Sequence, residues 1–447
     1  MTADLVGEST ALLQQLIRNA CVNDGTVGSG QETRSVDTIA AFLGGSGLDM
    51  RRHEPRPGRG NLVVRMEGSD RSAPSLHLMG HTDVVPANPA GWRHDPFGGE
   101  LIAGEVWGRG AIDMLSITST MAVAVRRLAA SGFRPRGTLV YTAVADEEAL
   151  GTWGADWLSQ HTWDEVKTDY LITEGAGAGF SVAGGGPKLP VAVMEKGSHW
   201  VRLGVKGTPG HGSMPFRTDN AVVKAAEVVR RIASYRAPRR FTTTWRRFVD
   251  GIELSPPLRV ALLNGPLLEV ALRRLPLGVA RIFDASTHTT FSPNIIHGGV
   301  KANVVPDTAE IVVDIRTMPG DGGPEIRKML RDAAGDLWPS IEIREEQEND
   351  ATESPIATPL WDTLASVTAA LVPETHLVPF PVFAATDARF FRRKGVTSYG
   401  YAIYTIPFDQ FVSRFHGNDE RVDQESLRLS AELWERTARA FLGETPV

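Results

Sequence analysis

From Ser9 to Ala20 and from Thr33 to Leu43, apolar residues recur at helical spacing, which predicts two amphipathic helices near the start of the chain. A basic stretch from Arg51 to Arg59 follows and reads as a solvated loop. Four short apolar runs come next, Leu62 to Val64, Leu76 to Met79, Leu139 to Val144 and Tyr170 to Ile172, each closed by turn residues or acids, and they predict buried strands. Between the second and third of these lies Ile117 to Ala130. Its helix formers, the basic pair Arg126 and Arg127 near its end and Gly132 just past it describe a helix with a C-terminal stop. Strands alternating with helices predict an α/β fold with a mostly parallel sheet. The glycine-rich segment Gly175 to Gly186 does not match G-x-G-x-x-G and is not followed at once by an amphipathic helix, so it reads as a flexible linker.

Beyond Gly197 the pattern changes. A strand (Trp200 to Val205), a helix (Ala221 to Ala233), a strand pair around Ile295 to Ile315, a helix (Glu325 to Ala334) and a strand (Ile341 to Ile343) follow in β-α-β-β-α-β order, which predicts an inserted α+β ferredoxin-like domain. Within it, Arg236 to Thr290 is an extra block rich in Leu, Val, Arg and Pro, expected to add helices to that domain by simple packing. From Pro359 the α/β pattern resumes with a helix to Leu371, strands at Phe380 to Ala384 and Tyr399 to Tyr404, and a last helix from Gln424 to Phe441. The expected organisation is therefore a first domain split into residues 1–196 and 353–447, with a second domain at residues 197–352 carrying an insertion at about 236–290.

The 447 residues suffice for two or three domains with their own cores, and hydrophobic residues at 42% with charged residues at 22% exclude a disordered or fibrous chain. A net charge of −6 gives no general attraction to phosphate backbones or anionic lipid, so neither nucleic acid nor a membrane surface is an expected partner. The one cysteine, Cys21, sits at the end of an apolar helical stretch and reads as a small core residue in a reducing, cytoplasmic setting. Any metal must then be held by His and carboxylates.

Groups of that kind stand at the predicted strand ends: His81-Thr82-Asp83, Asp146-Glu147-Glu148, Glu174, and His416 farther past Tyr399 to Tyr404. Asp113 opens the Ile117 helix. In an open parallel sheet, ligands gather outside the carboxyl ends of the strands, so these groups are expected to converge. Asp83, Asp113, Glu147, Glu148 and Glu174 cannot all stay ionised together without cations, and two divalent metals would neutralise them. The donor types suit zinc, with cobalt or manganese as substitutes. Adjacent residues on an extended strand end point to opposite sides, so of Glu147 and Glu148 one is expected to hold metal and the other to take a proton from water. Residue types alone leave open which is which. Asp83 is placed to accept the second ring N–H of His81. His53, His94, His161, His199, His288 and His376 read as solvated loop or surface groups, and His77 as part of a strand.

Taken in order, Gly80-His81-Thr82-Asp83-Val84-Val85-Pro86, Asp95-Pro96-Phe97, Gly108-Arg109-Gly110-Ala111-Ile112-Asp113-Met114, Asp146-Glu147-Glu148 and Arg414-Phe415-His416-Gly417 resemble the M20 metallopeptidases. That family includes aminoacylase-1, carboxypeptidase S, acetylornithine deacetylase and succinyl-diaminopimelate desuccinylase. The resemblance implies that Asp113 bridges two metals, that His81 and Glu174 complete one site and Glu148 and His416 the other, and that Glu147 is the general base and acid. It also implies that the second domain is a lid or dimerisation domain, through which several members pair as homodimers. His211, in Thr208-Pro209-Gly210-His211-Gly212-Ser213, would polarise the scissile carbonyl, in several members from the partner subunit. Asn303 and Arg316 would hold the substrate carboxylate, and Thr386-Asp387-Ala388-Arg389 resembles a substrate-side segment. Many members carry Lys-Gly where Leu115-Ser116 stand here, and the Arg236 to Thr290 insertion tilts the likeness towards the carboxypeptidase S-like and aminoacylase-like branch. The implied function is metal-dependent hydrolysis of an N-acyl-amino acid or short peptide. A dipeptidase or other exopeptidase is the alternative, and a catalytically silent metal- and ligand-binding protein a remoter one.

Overall fold

A computed structural model describes residues 4–182 and 186–443. Among them, a ten-stranded mixed sheet carries the larger part of the chain. Its four central strands, Leu139–Val144, Leu76–His81, Tyr170–Thr173 and Thr397–Gly400, run parallel. Antiparallel strands extend it on both sides, with Asn61–Met66 and Asp49–His53 beyond Leu139–Val144, and Gly186–Glu195 and Thr352–Glu353 beyond Thr397–Gly400. Strand His376–Val382 adds parallel to Gly186–Glu195. The central strands are apolar runs because both faces are covered, and every residue of Leu76–His81 and Leu139–Val144 is buried.

On one face the helices Leu5–Arg18, Leu115–Ala130 and Gln424–Leu442 pack against one another and the sheet. Trp434 is fully buried among them and donates its indole N–H to Thr120 Oγ1 at 3.1 Å. The other face is closed by Ala155–His161, Trp163–Val166 and Ala388–Arg392 over Val63, Met79 and Val140. Cys21 is buried beside Ser35, and burial pushes its thiol up to about 11, in keeping with a core residue.

Four expectations are corrected, the last of them in the extra helical block described below. The basic stretch is not a loop throughout: Asp49–His53 is an edge strand with Arg51 and Arg52 in solvent, the charged edge that discourages further pairing. Arg59 at its end is buried, because Glu32 is buried opposite and meets it at 2.6 Å. The glycine-rich segment is not a free linker at its ends, since Phe180–Val182 pairs back on Gly186–Glu195; Ala183 to Gly185 lie outside the described residues. His199 and His288 are buried rather than solvated. His199 packs under helix Gly323–Ala334, and the His288 ring lies 2.9 Å from the Asp284 carbonyl.

A second sheet has four antiparallel strands in the order Thr290–Gly298, Thr308–Thr317, Gly197–Lys206, Ile341–Asn349, with helices Ala221–Ser234 and Gly323–Ala334 sharing its apolar core. That order is the split β-α-β arrangement. The extra block does form helices, Thr243–Gly251, Pro256–Leu262, Gly265–Leu272 and Leu277–Ala285, but they are not packed only on this unit. Trp245, Phe248 and Val249 form one cluster with Val378 and Phe380 of the large sheet, because that strand offers them an apolar surface. Among the described residues no helix is long and apolar enough to cross a membrane.

Replacing Trp434 with alanine leaves a cavity between the three packed helices, with an expected stability loss of about 3–5 kcal/mol. Denaturant unfolding measures it, and a loss below about 1 kcal/mol would contradict this account of the core.

Candidate metal centre

The chain reverses sharply at the strand ends, and these reversals carry the acids and histidines. His81 closes strand Leu76–His81, Glu174 follows Tyr170–Thr173, and Glu147 and Glu148 follow Leu139–Val144 in a single 3-10 turn. Asp146 and Leu150, on either side of that turn, adopt φ of 71° and 85°, and His416 has φ of 55°. Left-handed backbone at a non-glycine residue costs about 1–3 kcal/mol, which the surroundings must offset. Around Asp146 they do so with bonds: its carboxylate accepts from Trp153 N at 3.1 Å and Asn23 Nδ2 at 3.2 Å. Gly110, at φ 86°, has no room for a side chain, since a Cβ there would lie 2.6 Å from Val84.

Asp113 stands between two imidazoles. Its Oδ1 lies 3.1 Å from His81 Nε2 and its Oδ2 2.8 Å from His416 Nε2. Glu174 Oε1 is 3.7 Å from the same His81 nitrogen, and Glu148 Oε2 is 3.4 Å from the same His416 nitrogen. Two triads result, His81–Asp113–Glu174 and Asp113–Glu148–His416, each with one donor atom per residue within 4.8 Å of the others. Asp113 belongs to both.

The donors are held from behind. The fully buried Glu420 carboxylate accepts from Ile112 N at 2.7 Å, Asp113 N at 3.0 Å and Gly110 N at 3.1 Å, and pairs with Arg109 at 2.7 Å. Thr118 Oγ1 donates to the His81 carbonyl at 2.7 Å. Asp83 is close to the expected place, but its backbone carbonyl, at 3.0 Å, is nearer to His81 Nδ1 than its carboxylate, at 3.4 Å. The reason is that the carboxylate is drawn to three donors: Asn23 Nδ2 at 2.9 Å and the backbone N–H groups of Glu148 at 3.0 Å and Glu147 at 3.2 Å. Asp83 therefore ties the His81 turn to the Glu147–Glu148 turn. Asn23 in turn accepts from Arg59, the partner of Glu32.

The electrostatics favour bound positive charge. Burial pushes Glu148 up to about 7, with Asp113 adding to the effect and His416 opposing it. Burial likewise holds Glu174 and Glu147 well above the usual carboxylate range. Hydrogen bonds to Asp113 and Glu148 raise His416 to about 10. Glu148 Oε1 is buried without a hydrogen-bond partner. Crowded acids, imidazoles aimed at one shared carboxylate and an unpartnered buried oxygen fit the donor set of a divalent-metal site.

The sequence profile of Peptidase family M20/M25/M40 matches residues 77–440. The chain belongs to that family. Porcine (Sus scrofa) aminoacylase-1 is 27% identical over 402 residues, covering 88% of this chain and 86% of that protein. A probable carboxypeptidase S-like protein of Dictyostelium discoideum is 27% identical over 382 residues, covering 84% and 73%. Among solved structures, an M20 family metallo-carboxypeptidase from Sulfolobus solfataricus superposes with a TM-score of 0.72 at 16% identity, covering 97% of this chain and 99% of that one. This M20 chain is a metal-dependent hydrolase of amide or peptide bonds.

A pocket of about 620 Å³ adjoins the triads, and Arg316 lines it together with Asp113, Glu147, Glu148, Glu174 and His416. The Arg316 guanidinium pairs with Asp314, at 2.9 Å and 3.2 Å. His211 and Asn303 are not on this pocket wall. They are exposed and meet each other, where Gly210–His211 pairs with Val304–Val305 and Gly212 N donates to the Asn303 carbonyl at 2.8 Å. Thr386 and Arg389 do line it, and Asp387 between them is pushed up to about 7 by burial.

Glu420 and Asn23 were not singled out in the sequence; the one available signal was an acid four residues past His416, in a charged run that otherwise reads as surface. Glu420→Gln keeps the shape but weakens the grip on the Asp113 backbone. Metal affinity, measured by titration in metal buffers, is expected to fall about 10- to 100-fold. Unchanged affinity would contradict the positioning role.

Proposed function

We propose that this M20 hydrolase releases an amino acid from an N-acyl-amino acid or short peptide that carries a free carboxylate. The observation that carries the reading is the shared pocket, in which Asp113, Glu174, Glu148 and His416 of the two triads face one space with Glu147 and Arg316, while the buried His81 stands behind them. His81 and Glu174 would hold one divalent cation, Glu148 and His416 the other, with Asp113 between them; the donor types suit zinc, with cobalt or manganese as substitutes. Such a pair supplies Lewis acidity and a nucleophilic water at neutral pH. Glu147 is then the general base, its raised proton affinity letting it take the water proton and pass it to the leaving amine nitrogen. Arg316, its Nε and Nη2 held by Asp314, is the cationic group on the wall that a substrate carboxylate would meet.

In this reading residues 197–352 form the lid and dimerisation domain. The exposed position of His211 and Asn303, away from their own chain's pocket, supports their serving the pocket of a second copy across a two-fold axis. The outer strand Thr290–Gly298 exposes Ile295 and Ile296, and Met214 and Phe216 stand exposed close after His211, which supports pairing through this unit. His211 would polarise the scissile carbonyl and stabilise the charge that develops on its oxygen.

Glu147→Gln is expected to retain metal while turnover of an N-acyl-amino acid falls about 10²- to 10⁴-fold. Mixing that variant with His211→Ala, itself inactive, should restore activity through hybrid dimers that contain one intact site. Equal activity in Glu147→Gln would remove the base assignment, and hybrids without activity would show that His211 acts within its own chain.

A further inference from the structure

Away from the acids, the wall of the pocket is aromatic. Phe380 and Phe383, at the end of strand His376–Val382, line it together with Phe408, Phe411 and Phe415 on helix Phe408–Arg414 and its exit towards His416. The rings contact one another, with centroids 5.9 Å apart for Phe380 and Phe383, 6.5 Å for Phe380 and Phe408, and 6.1 Å for Phe411 and Phe415. Ile282, from the extra helical block, also faces the pocket. Beyond the metal-side acids and His416, the charged groups on the wall are Arg316 and Arg389, and Arg389 directs its donors to the carbonyls of Thr386 and Leu150, both at 2.7 Å. Hydrolysis of a small acyl group needs the metals, a base and a carboxylate clamp, and would leave this aromatic surface in water. Apolar surface of that extent beside a reaction centre favours an apolar substituent on the substrate.

A second depression of about 520 Å³ lies beside the first, lined by Phe180, Leu189, Val372, Ile403 and Tyr404 among others. Among the described residues, Phe408 is the one that lines both. Its ring contacts both Phe380, on the wall of the first, and Phe180, 5.9 Å away and edge-on, on the wall of the second.

We propose that the acyl part of the substrate is a long apolar chain seated on the Phe380, Phe383, Phe411 and Phe415 wall, and that Phe408 sets its maximum length by closing this subsite off from the neighbouring depression. The inference rests on the amidohydrolase reading of the same site and names its substrate class. The carboxylate end then lies towards Arg316 and the chain end towards Phe408, with the scissile carbonyl between them at the triads.

The test is a series of N-acyl-glycines and N-acyl-leucines from acetyl to dodecanoyl, with kcat/KM measured on the metal-loaded enzyme and Kd measured by calorimetry on Glu147→Gln. Both are expected to improve with chain length, by up to about fourfold per buried methylene, until the chain reaches Phe408. Phe408→Ala should move that limit to longer chains and Phe408→Trp to shorter ones, so the readout is the ratio of long- to short-chain substrates within each variant. Values that are flat in acyl length, values that follow the amino-acid side chain instead, or Phe408 variants that scale all lengths equally would overturn the proposal. Length-dependent binding without hydrolysis of any member would support the subsite and remove only the amidohydrolase reading.

Discussion

The carboxylate of Asp113 is the point on which the site converges. Two imidazoles reach it from opposite ends of the chain's sequence, at 3.1 Å and 2.8 Å, and each brings a glutamate with it. Packing so many ionisable groups out of water is unfavourable unless opposite charge is supplied and every donor is held in place. The fold meets the second requirement through backbone geometry. Strands of the central sheet end side by side, so that His81, Glu147, Glu148 and Glu174 arrive together, and Glu420 holds the N–H groups that lead into Asp113. Divalent cations would meet the first, in keeping with the family that the sequence match shows.

Support for the site extends well below it. Glu32 and Arg59 form a buried pair, Arg59 holds Asn23, and Asn23 holds Asp83, which ties two of the ligand-bearing turns together. The chain passes from a charged pair under the sheet to the reaction centre without a break. Residues far from either triad thereby fix where the candidate donors stand, and the left-handed turn at Asp146 is held by the same network through Asn23.

The strands and the converging acids were legible because their signals are local. An apolar run of a few residues followed by His or Glu marks a buried strand end, and the motif order from Gly80 to Gly417 added the family, with the expectation that Glu147 is the base and Glu148 the metal-side glutamate. Glu420, Asn23 and Arg59 were not legible, since a charged or amide side chain reads as surface unless its partner is known. For Arg109 and Glu420 that partner stands 311 positions away. The burial of His199 and His288 escaped for the same reason, as did the attachment of the extra helices to Phe380, which is a contact between distant segments. His211 and Asn303 were legible as a motif, but their position away from the pocket of their own chain is a property of the assembled fold.

The most direct measurement is metal content by elemental analysis, comparing the wild-type protein with His416→Ala and Asp113→Ala after reloading and desalting. A centre in which Asp113 serves both triads predicts about two metals per chain in the wild type, about one in His416→Ala and close to none in Asp113→Ala. Two metals retained in Asp113→Ala, or none in the wild-type protein, would contradict it.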